Sequence, residues 1–266
     1  MGAAVGGALV DTGLEVAWAS DGRSDSTAGR AGRHGLDDAG GLGALLSRSK
    51  IVLAICPPHA AVEVAAEVAS HEYRGVYVDA NAIAPRTADE IARVIGAGGA
   101  RYVDGAIVGT PPGSGASPRF YVSGEGAAAV SSLFGGSVVD ARPLNGEPNA
   151  ASALKVAYAA WTKGSAALML AAEESARRAG VESELEDEWS SLEGLTPRLA
   201  RAHRDAAAHG RRWAGEMEEI ARAFDDLDLP PGFHRSAAEV YDRLDTYADH
   251  PDGGVGDGGR QWWRST

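Results

Sequence analysis

Lys155 is the side chain in this sequence best suited to moving a proton. It is one of only three lysines and lies in an Ala-rich, apolar segment with helical periodicity. An amine among apolar side chains loses solvation, so its pKa falls towards neutrality, and it can then take a proton from a hydroxyl group or return one. Tyr158 and Thr162 share a helix face with Lys155 and are candidates for the same pocket. The alternative is a structural lysine whose ammonium group simply reaches water.

The loop that follows the first strand-like segment carries candidate cofactor residues. Ligands bind at the carboxyl ends of the strands in an open parallel sheet, and Ser20, Arg23 and Ser24 follow residues 14–19. An arginine beside a small hydroxyl residue favours the ribose 2′-phosphate of NADP(H) through a forked, charge-assisted contact. Asp21 keeps NAD(H) open as the alternative, and the loop is equally compatible with a plain surface turn.

Two further loops follow strand-like segments at residues 50–56 and 76–80. The first is Cys56-Pro57-Pro58, whose prolines make a rigid wall suited to a flat ring, or merely a stiff connection. The second begins with Asn81, which offers both a donor and an acceptor. The donor and the acceptor of Asn81 suit a ribose or a carboxamide, although an Asx turn or a helix cap would use the same side chain.

The Gly-rich loop that begins with Gly109 and Thr110 is a candidate anion site. It lacks the Lys-Ser/Thr ending of a triphosphate-binding loop, but its backbone amides could hold a carboxylate. Cys56 is the single cysteine, which excludes an internal disulfide and a cysteine-cluster zinc site. We read it as a small buried residue and expect no metal site in this chain.

The elements that must position these residues alternate through the first half of the chain. This alternation predicts βαβ units and a parallel sheet. The predicted strands are residues 14–19, 50–56, 76–80, 102–108, 120–123 and 137–140, and the helices between them are 2–12, 60–70 and 87–95. From Asn149 to Gly180 the pattern is helical without a break, with Asn149 as its cap, and only helices follow, at 184–192, 197–220 and 235–247.

The predicted organisation is therefore an α/β fold followed by an all-α half. We place a Rossmann-like NAD(P)-binding domain at 1–145, a helical substrate and dimerisation domain at 146–249, and a disordered Gly-rich tail at 250–266. The long helix is apolar around most of its circumference and needs more cover than one small domain supplies. This predicts a homodimer.

Charge and hydropathy exclude several classes of function. The chain has 25 Lys and Arg against 37 Asp and Glu, a formal net charge of −12 over 266 residues. Nucleic-acid binders and anionic-membrane binders need a positive face, so we expect neither partner. No signal segment opens the chain, and two lysines lie near the middle of its most apolar stretch, so no membrane span is expected. These features predict a soluble, cytoplasmic protein.

Several segments together resemble a known family. The strand and loop at Asp104–Thr110, followed by a helix bearing Lys155, are similar to the 6-phosphogluconate and 3-hydroxyisobutyrate dehydrogenase (β-hydroxyacid dehydrogenase) superfamily. The segments 157–164, 215–220 and 231–234 resemble an uncharacterised branch with a C-terminal domain of unknown function. The resemblance runs from about Gly2 to about Leu244.

This resemblance implies NAD(P)-dependent oxidation of a hydroxy acid, or the reverse reduction. It assigns Lys155 as general acid and base and His234 as a group brought towards the site, often by a partner subunit. The remaining matches are to the nicotinamide ribose (Asn81), the cofactor loop (Cys56, Pro57 and Pro58), the substrate loop (Gly109 and Thr110) and the 2′-phosphate (Arg23 and Ser24).

The sequence departs from the family at three places. Val108 replaces the first residue of the usual Ser-Gly-Gly loop, and Ala159 replaces the Asn four residues after the lysine, so 6-phosphogluconate is not the expected substrate. Gly2 and Ala3 match only the end of the Gly-x-Gly-x-x-Gly turn, so the first, central strand is missing. We expect a start site assigned too late in an NADP(H)-dependent enzyme; the alternative is a catalytically silent dimeric scaffold that binds a ligand or a partner.

Overall fold

The chain divides into two compact units. The computed structural model describes residues 1–113, 115 and 117–244. Its units are Met1–Lys155 and Val156–Thr266, so the division falls ten residues after the 145/146 boundary expected from the sequence. The predicted tail at 250–266 lies outside the described residues.

The first unit alternates strands and helices. In chain order its elements are α1 (Gly2–Val10), β1 (Ala17–Trp18), α2 (Asp25–Arg33), β2 (Asp37–Asp38), α3 (Leu42–Arg48), β3 (Ile51–Ala54), a short 3₁₀ turn (Pro58–Ala60), α4 (Ala61–Ser70), β4 (Val76–Asp79), α5 (Pro85–Ala97), β5 (Arg101–Val108), β6 (Arg119–Ser123), α6 (Ala127–Ser132), β7 (Asp140–Pro143) and the first turn of α7 (Ala150–Ala179). The predicted α/β class is confirmed.

The main sheet has five strands in the order β3-β4-β5-β6-β7. Strands β3, β4 and β5 run parallel, as do β6 and β7, but β6 is antiparallel to β5. The predicted parallel sheet is therefore confirmed for most of its strand pairs, and the pair of β5 and β6 is the exception. The connection at 109–118 is too short for a parallel crossover, which needs about a dozen residues or more.

Strands β1 and β2 pair with each other in a separate parallel sheet. Within the described chain, β1 is hydrogen-bonded only to β2, and β3 only to β4. Val5 and Ala8 of α1 pack in one core cluster with residues of β3, β4 and β5.

Helices cover both faces of the main sheet. One core cluster joins α4 and α5 to residues such as Val52 and Tyr77, and the other joins α1 and α6 to Val78 and Phe120. This is why the central strands are apolar on both faces. Because β3, β4 and β5 run parallel, their carboxyl ends lie at one edge of the sheet.

Some predicted boundaries were wrong for local reasons. The strand expected at 137–140 begins only at Asp140, because the Ser137 hydroxyl accepts a hydrogen bond from the Val139 amide (3.0 Å) and closes a turn there. Sequence analysis missed α2, α3, α6 and β2. In α2 only Ala31 is buried, so this helix has no apolar stripe to reveal it.

The described part of the second unit is helical. It contains the rest of α7, α8 (Glu182–Ser190), α9 (Leu195–Asp226) and α10 (Gly232–Arg243). Helices α9 and α10 meet where Trp213 and Tyr241 pack edge to face, with ring centroids 5.3 Å apart. Tyr241 also donates a hydrogen bond to the Lys163 carbonyl (2.7 Å) on α7. Among the helices of residues 1–244, none is long and apolar enough to span a bilayer.

Candidate functional site

Lys155 lies at the carboxyl end of β5 in the first unit. Its Nζ donates a hydrogen bond to the carbonyl oxygen of Ile107 at 2.7 Å, and its side chain is partly buried. The Lys155 ammonium group is therefore held by a backbone carbonyl of the sheet and does not extend freely into solvent. An ammonium group has three donors, so Lys155 can bond more than one acceptor.

The start of α7, which carries Lys155, is anchored to the sheet by buried polar groups. Asp104 of β5 accepts hydrogen bonds from the Ser152 amide (2.8 Å) and the Ser152 hydroxyl (2.5 Å). The Ser123 hydroxyl donates to Asp104 (3.0 Å) and accepts from the Ala151 amide (2.9 Å). Sequence analysis did not single out Asp104, Ser123 or Ser152 as site residues.

Asn81 and the Cys56 loop are brought together at the ends of β4 and β3. The Cys56 amide donates to Asn81 Oδ1 (2.6 Å), and the Asn81 amide donates to Asp79 Oδ1 (2.8 Å). Because an N–H group holds Oδ1, the side-chain orientation is fixed and Nδ2 is the donor left for a ligand. Asn81 Nδ2 is buried and has no hydrogen-bond partner among the described residues.

Electrostatics around this loop favour neutral side chains. Burial, with a smaller contribution from the nearby Asp79, raises the pKa of the Cys56 thiol to about 11, so the thiolate is not available at neutral pH. Burial also raises the pKa of Asp79 to about 7, with a smaller contribution from Asp104 opposite it on β5. Pro57 and Pro58 lead from Cys56 into the 3₁₀ turn and give the loop its rigidity.

The predicted ribose loop contains a cluster of hydroxyl groups. Ser24 precedes α2, and its hydroxyl lies 3.0 Å from that of Ser26 and 3.2 Å from that of Thr27. Arg30 donates to the Thr27 hydroxyl at 2.8 Å, which brings a guanidinium to the same exposed cluster. Sequence reasoning missed Ser26, Thr27 and Arg30, although the spacing of Ser24, Thr27 and Arg30 by three residues is a helix-face signal.

The other residues of this loop form the turn that leads into α2. The Arg23 amide donates to the Ser20 carbonyl at 3.0 Å, and Arg23 is exposed. The Ser20 hydroxyl donates to Asp38 of β2, which lowers the pKa of that carboxyl below its ordinary value. The loop therefore carries an exposed cation, Arg23, and contacts an ionised carboxylate, Asp38, on β2.

Gly2 and Ala3 open α1 close to the end of β3. A Cβ added to Gly2 would lie 3.6 Å from the Cβ of Ile55, so the helix start is close to the residue that precedes Cys56. Gly109 follows β5 with a φ of +118°, a conformation that side chains other than glycine rarely adopt. Thr110 next to it is exposed.

The remaining predicted substrate residues belong to the second unit. Tyr158 is exposed, and the Thr162 hydroxyl donates to the Tyr158 carbonyl (3.0 Å) along α7. His234 of α10 is buried between the rings of Phe224 and Phe233, and burial lowers its pKa. At neutral pH this histidine is therefore an uncharged ring in an aromatic cluster. Across the described residues, no group of three or more His, Cys, Asp or Glu side chains is placed to hold a metal ion.

Comparison with known proteins gives a family for the C-terminal region and a fold for the whole chain. Residues 176–244 match the family described as Domain of unknown function (DUF1932). No curated protein matches the sequence.

Three solved structures illustrate the fold. The conserved protein MTH1747, of unknown function and structurally similar to 3-hydroxyacid dehydrogenases, is 27% identical, with 90% of this chain and 93% of that chain covered and a TM-score of 0.66. A 3-hydroxyisobutyrate dehydrogenase of Mycobacterium tuberculosis, solved with L-serine, is 17% identical over 95% and 92% of the two chains, with a TM-score of 0.71. Psf3 in complex with NADP⁺ and 2-OPP is 20% identical over 92% and 90%, with a TM-score of 0.67.

Proposed function

Because the chain has the fold of the β-hydroxyacid dehydrogenase superfamily and carries a C-terminal DUF1932 domain, we propose that it is an NADP(H)-dependent oxidoreductase. Its substrate is a hydroxy acid or a related small molecule. A bound nicotinamide would supply or accept the hydride, and Lys155 would take up or return the proton of the substrate hydroxyl.

The observation that carries this proposal is the position of Lys155. Its Nζ is held at the carboxyl end of β5 by the Ile107 carbonyl, at the edge of the sheet where Asn81 and the Cys56 loop also lie. Ligands of open α/β sheets bind along this edge. An amine fixed there is suited to act on a substrate next to the cofactor.

Two features fit a bound dinucleotide. The buried Nδ2 of Asn81 has no hydrogen-bond partner among the described residues and would donate to an oxygen of the nicotinamide ribose or carboxamide. The hydroxyl cluster of Ser24, Ser26 and Thr27, with Arg23 and Arg30 beside it, offers donors and positive charge to a 2′-phosphate. The structure of Psf3 was solved in complex with NADP⁺.

The substrate loop supports a substrate other than 6-phosphogluconate. Val108 and Ala159, which replace a serine and an asparagine of the family pattern, are both buried and apolar. Neither side chain can bond a substrate hydroxyl, so we propose a less hydroxylated substrate. Tyr158, Thr162 and His234 complete the proposed set of substrate residues.

We further propose that the protein works as a homodimer in the cytoplasm. Exposed apolar residues recur along α7 at helical spacing, at Leu154, Tyr158, Trp161 and Leu168. Such a stripe on one helix is typical of a surface that a second subunit covers. Light scattering that shows a monomer would contradict the dimer.

A second candidate function is a catalytically silent dimeric scaffold that binds a ligand or a partner. The feature that favours it is the lack of a second strand neighbour for β1 and for β3 within the described chain. Unpaired strand edges bind extended segments of other chains.

Titration with reduced cofactors and a turnover assay separate the two candidates. We expect NADPH to bind the full chain more tightly than NADH, and a panel of small hydroxy acids to support reduction of NADP⁺. Lys155→Met should abolish turnover and leave NADPH binding nearly unchanged, whereas Lys50→Met, at an exposed position, should change neither. The absence of binding by either cofactor would reject the oxidoreductase and leave the scaffold.

A further inference from the structure

The buried carboxylate of Asp104 caps the first turn of α7, a helix that lies far from Asp104 in the sequence. Asp104, Ser123 and Ser152 are each fully buried. The carboxylate receives the amide and the hydroxyl of Ser152 on its two oxygens, and the Ser123 hydroxyl on one of them. All of these groups belong to the first unit.

The bonds satisfy backbone groups that a helix leaves free. The first four amides of an α-helix have no acceptor inside the helix, and those of Ala151 and Ser152 are taken by Ser123 and Asp104. A carboxylate at this end also interacts favourably with the helix dipole. The sheet therefore fixes both the position and the direction of the first turn of α7.

Lys155 lies one turn further along the same face of α7 as Ser152. Helix α7 is thus joined to β5 at two points: Ser152 bonds the Asp104 carboxylate, and Lys155 Nζ bonds the Ile107 carbonyl. A shift or rotation of the first turn would break the second contact together with the first.

We propose that Asp104 and Ser123 are positioning residues for Lys155, holding its amine at the carboxyl end of β5 through the first turn of α7. The effect of Asp104 and Ser123 on turnover rests on the proposed oxidoreductase function. Their effect on the position of the Lys155 amine does not rest on it and can be measured without substrate or cofactor.

The mobility of the Lys155 side chain can be measured by NMR with little signal overlap, because the chain has only three lysines. Selective ¹³C labelling of lysine gives Cε–Hε signals from Lys50, Lys155 and Lys163 alone, and Lys155→Arg assigns the signal of interest. A lysine held in one conformation shows two separate Hε shifts, whereas a mobile side chain averages them. We expect two separate shifts for Lys155 in the native protein.

The variants are Ser123→Ala and Asp104→Asn, with Ser132→Ala at an exposed site of α6 as the matched control. Ser123→Ala removes the contacts of the Ser123 hydroxyl with Asp104, the Pro148 carbonyl and the Ala151 amide but leaves the carboxylate. It therefore tests the anchor if Asp104→Asn does not fold. In the folded variants we expect the two Hε shifts of Lys155 to merge while the signals of Lys50 and Lys163 stay in place. With the proposed substrate class, kcat should fall on the order of 10-fold to 100-fold with little change in the KM for NADPH.

The possible outcomes distinguish the positioning role of Asp104 and Ser123 from the proposed oxidoreductase function. Unchanged Lys155 signals in folded Ser123→Ala and Asp104→Asn would overturn the positioning role even if the protein is an active oxidoreductase. Merged signals in a protein that neither binds NADPH nor turns over would support the positioning role and reject the proposed function. A loss of thermal stability alone, with the native Lys155 signal retained, would make the cluster purely structural and also overturn the proposal.

Discussion

The substitution Asp79→Asn should make the protein more stable at alkaline pH. Asp79 ends β4 with none of its side chain exposed to solvent. Its Oδ1 accepts the Asn81 amide, but Oδ2 is buried and has no hydrogen-bond partner among the described residues. Burial is the main reason that the pKa of this carboxyl rises from 3.8 to about 7, and Asp104 on the neighbouring strand adds to the rise.

The sign and size of the effect follow from proton binding. Between about pH 4 and pH 7 the folded protein keeps a proton on Asp79 that the unfolded chain has lost, so the free energy of unfolding falls as pH rises through this window. A pKa difference of about three units corresponds to about 4 kcal/mol above pH 7, of which about 3 kcal/mol falls between pH 5 and pH 8. Asparagine keeps the acceptor for the Asn81 amide and carries no charge, so the variant should lack this contribution.

Urea unfolding measured from pH 5 to pH 8 tests the prediction in the wild-type protein and the variant. The control is Asp242→Asn, which removes a carboxylate from an exposed site on α10 and should keep the wild-type dependence on pH. The reasoning is refuted if Asp79→Asn retains the wild-type slope, or if it is less stable than the wild type at pH 8.

Three further substitutions test other parts of the structure. Arg30→Glu should raise the Kd for NADPH by about 10-fold or more and change that for NADH little, measured by cofactor fluorescence, since it replaces a cation at the hydroxyl cluster. Gly105→Ala places a Cβ 2.7 Å from a backbone oxygen of the neighbouring strand and should lower the free energy of unfolding by about 1–3 kcal/mol in urea, whereas an unchanged midpoint would mean that the sheet adjusts. Glu216→Gln removes the charge of the buried ion-pair partner of Lys163 and should cost about 3 kcal/mol, while Glu218→Gln at an exposed position of the same helix should have little effect.

The parallel core of the fold could be predicted because its strands are buried on both faces. Residues 51–54 and 76–79 are short apolar or β-branched runs, and each was recognised with small errors at its ends. The antiparallel direction of β6 was missed because strand composition does not encode it. The signal lay in the length of the connection at 109–118, which is too short to cross the sheet.

The surface helices could not be predicted from apolar periodicity. Helix α2 buries only Ala31, and its sequence contains two glycines, so its hydrophobic pattern is close to that of a loop. Its start at Ser24 was instead visible in the hydroxyl residues that favour a helix N-terminus. The same residues form the hydroxyl cluster, so a search for helix caps would have found part of the candidate ribose site.

Candidate residues at strand ends were accessible to sequence reasoning because topology places such residues together. Cys56 and Asn81 follow neighbouring strands, and the bond between them joins residues 25 positions apart without any need for a motif. Lys155 was found as a rare amine in an apolar segment. The groups that hold it were not found, since Asp104 and Ser152 are 48 positions apart and no local pattern links them.

The first turn of α7 shows why such a link escapes local reasoning. The sequence predicts that Asn149 caps this helix, and in the structure its side-chain amide donates to Asp89 (3.1 Å). An amide at a helix start needs only an acceptor about 3 Å away, and that acceptor can come from any part of the fold. A charged residue inside a buried strand is the one sequence sign of such an arrangement, because a carboxylate is rarely buried without hydrogen-bond donors. Asp104 is such a charged residue within β5. The position of Lys155, on which the proposed chemistry rests, depends directly on it.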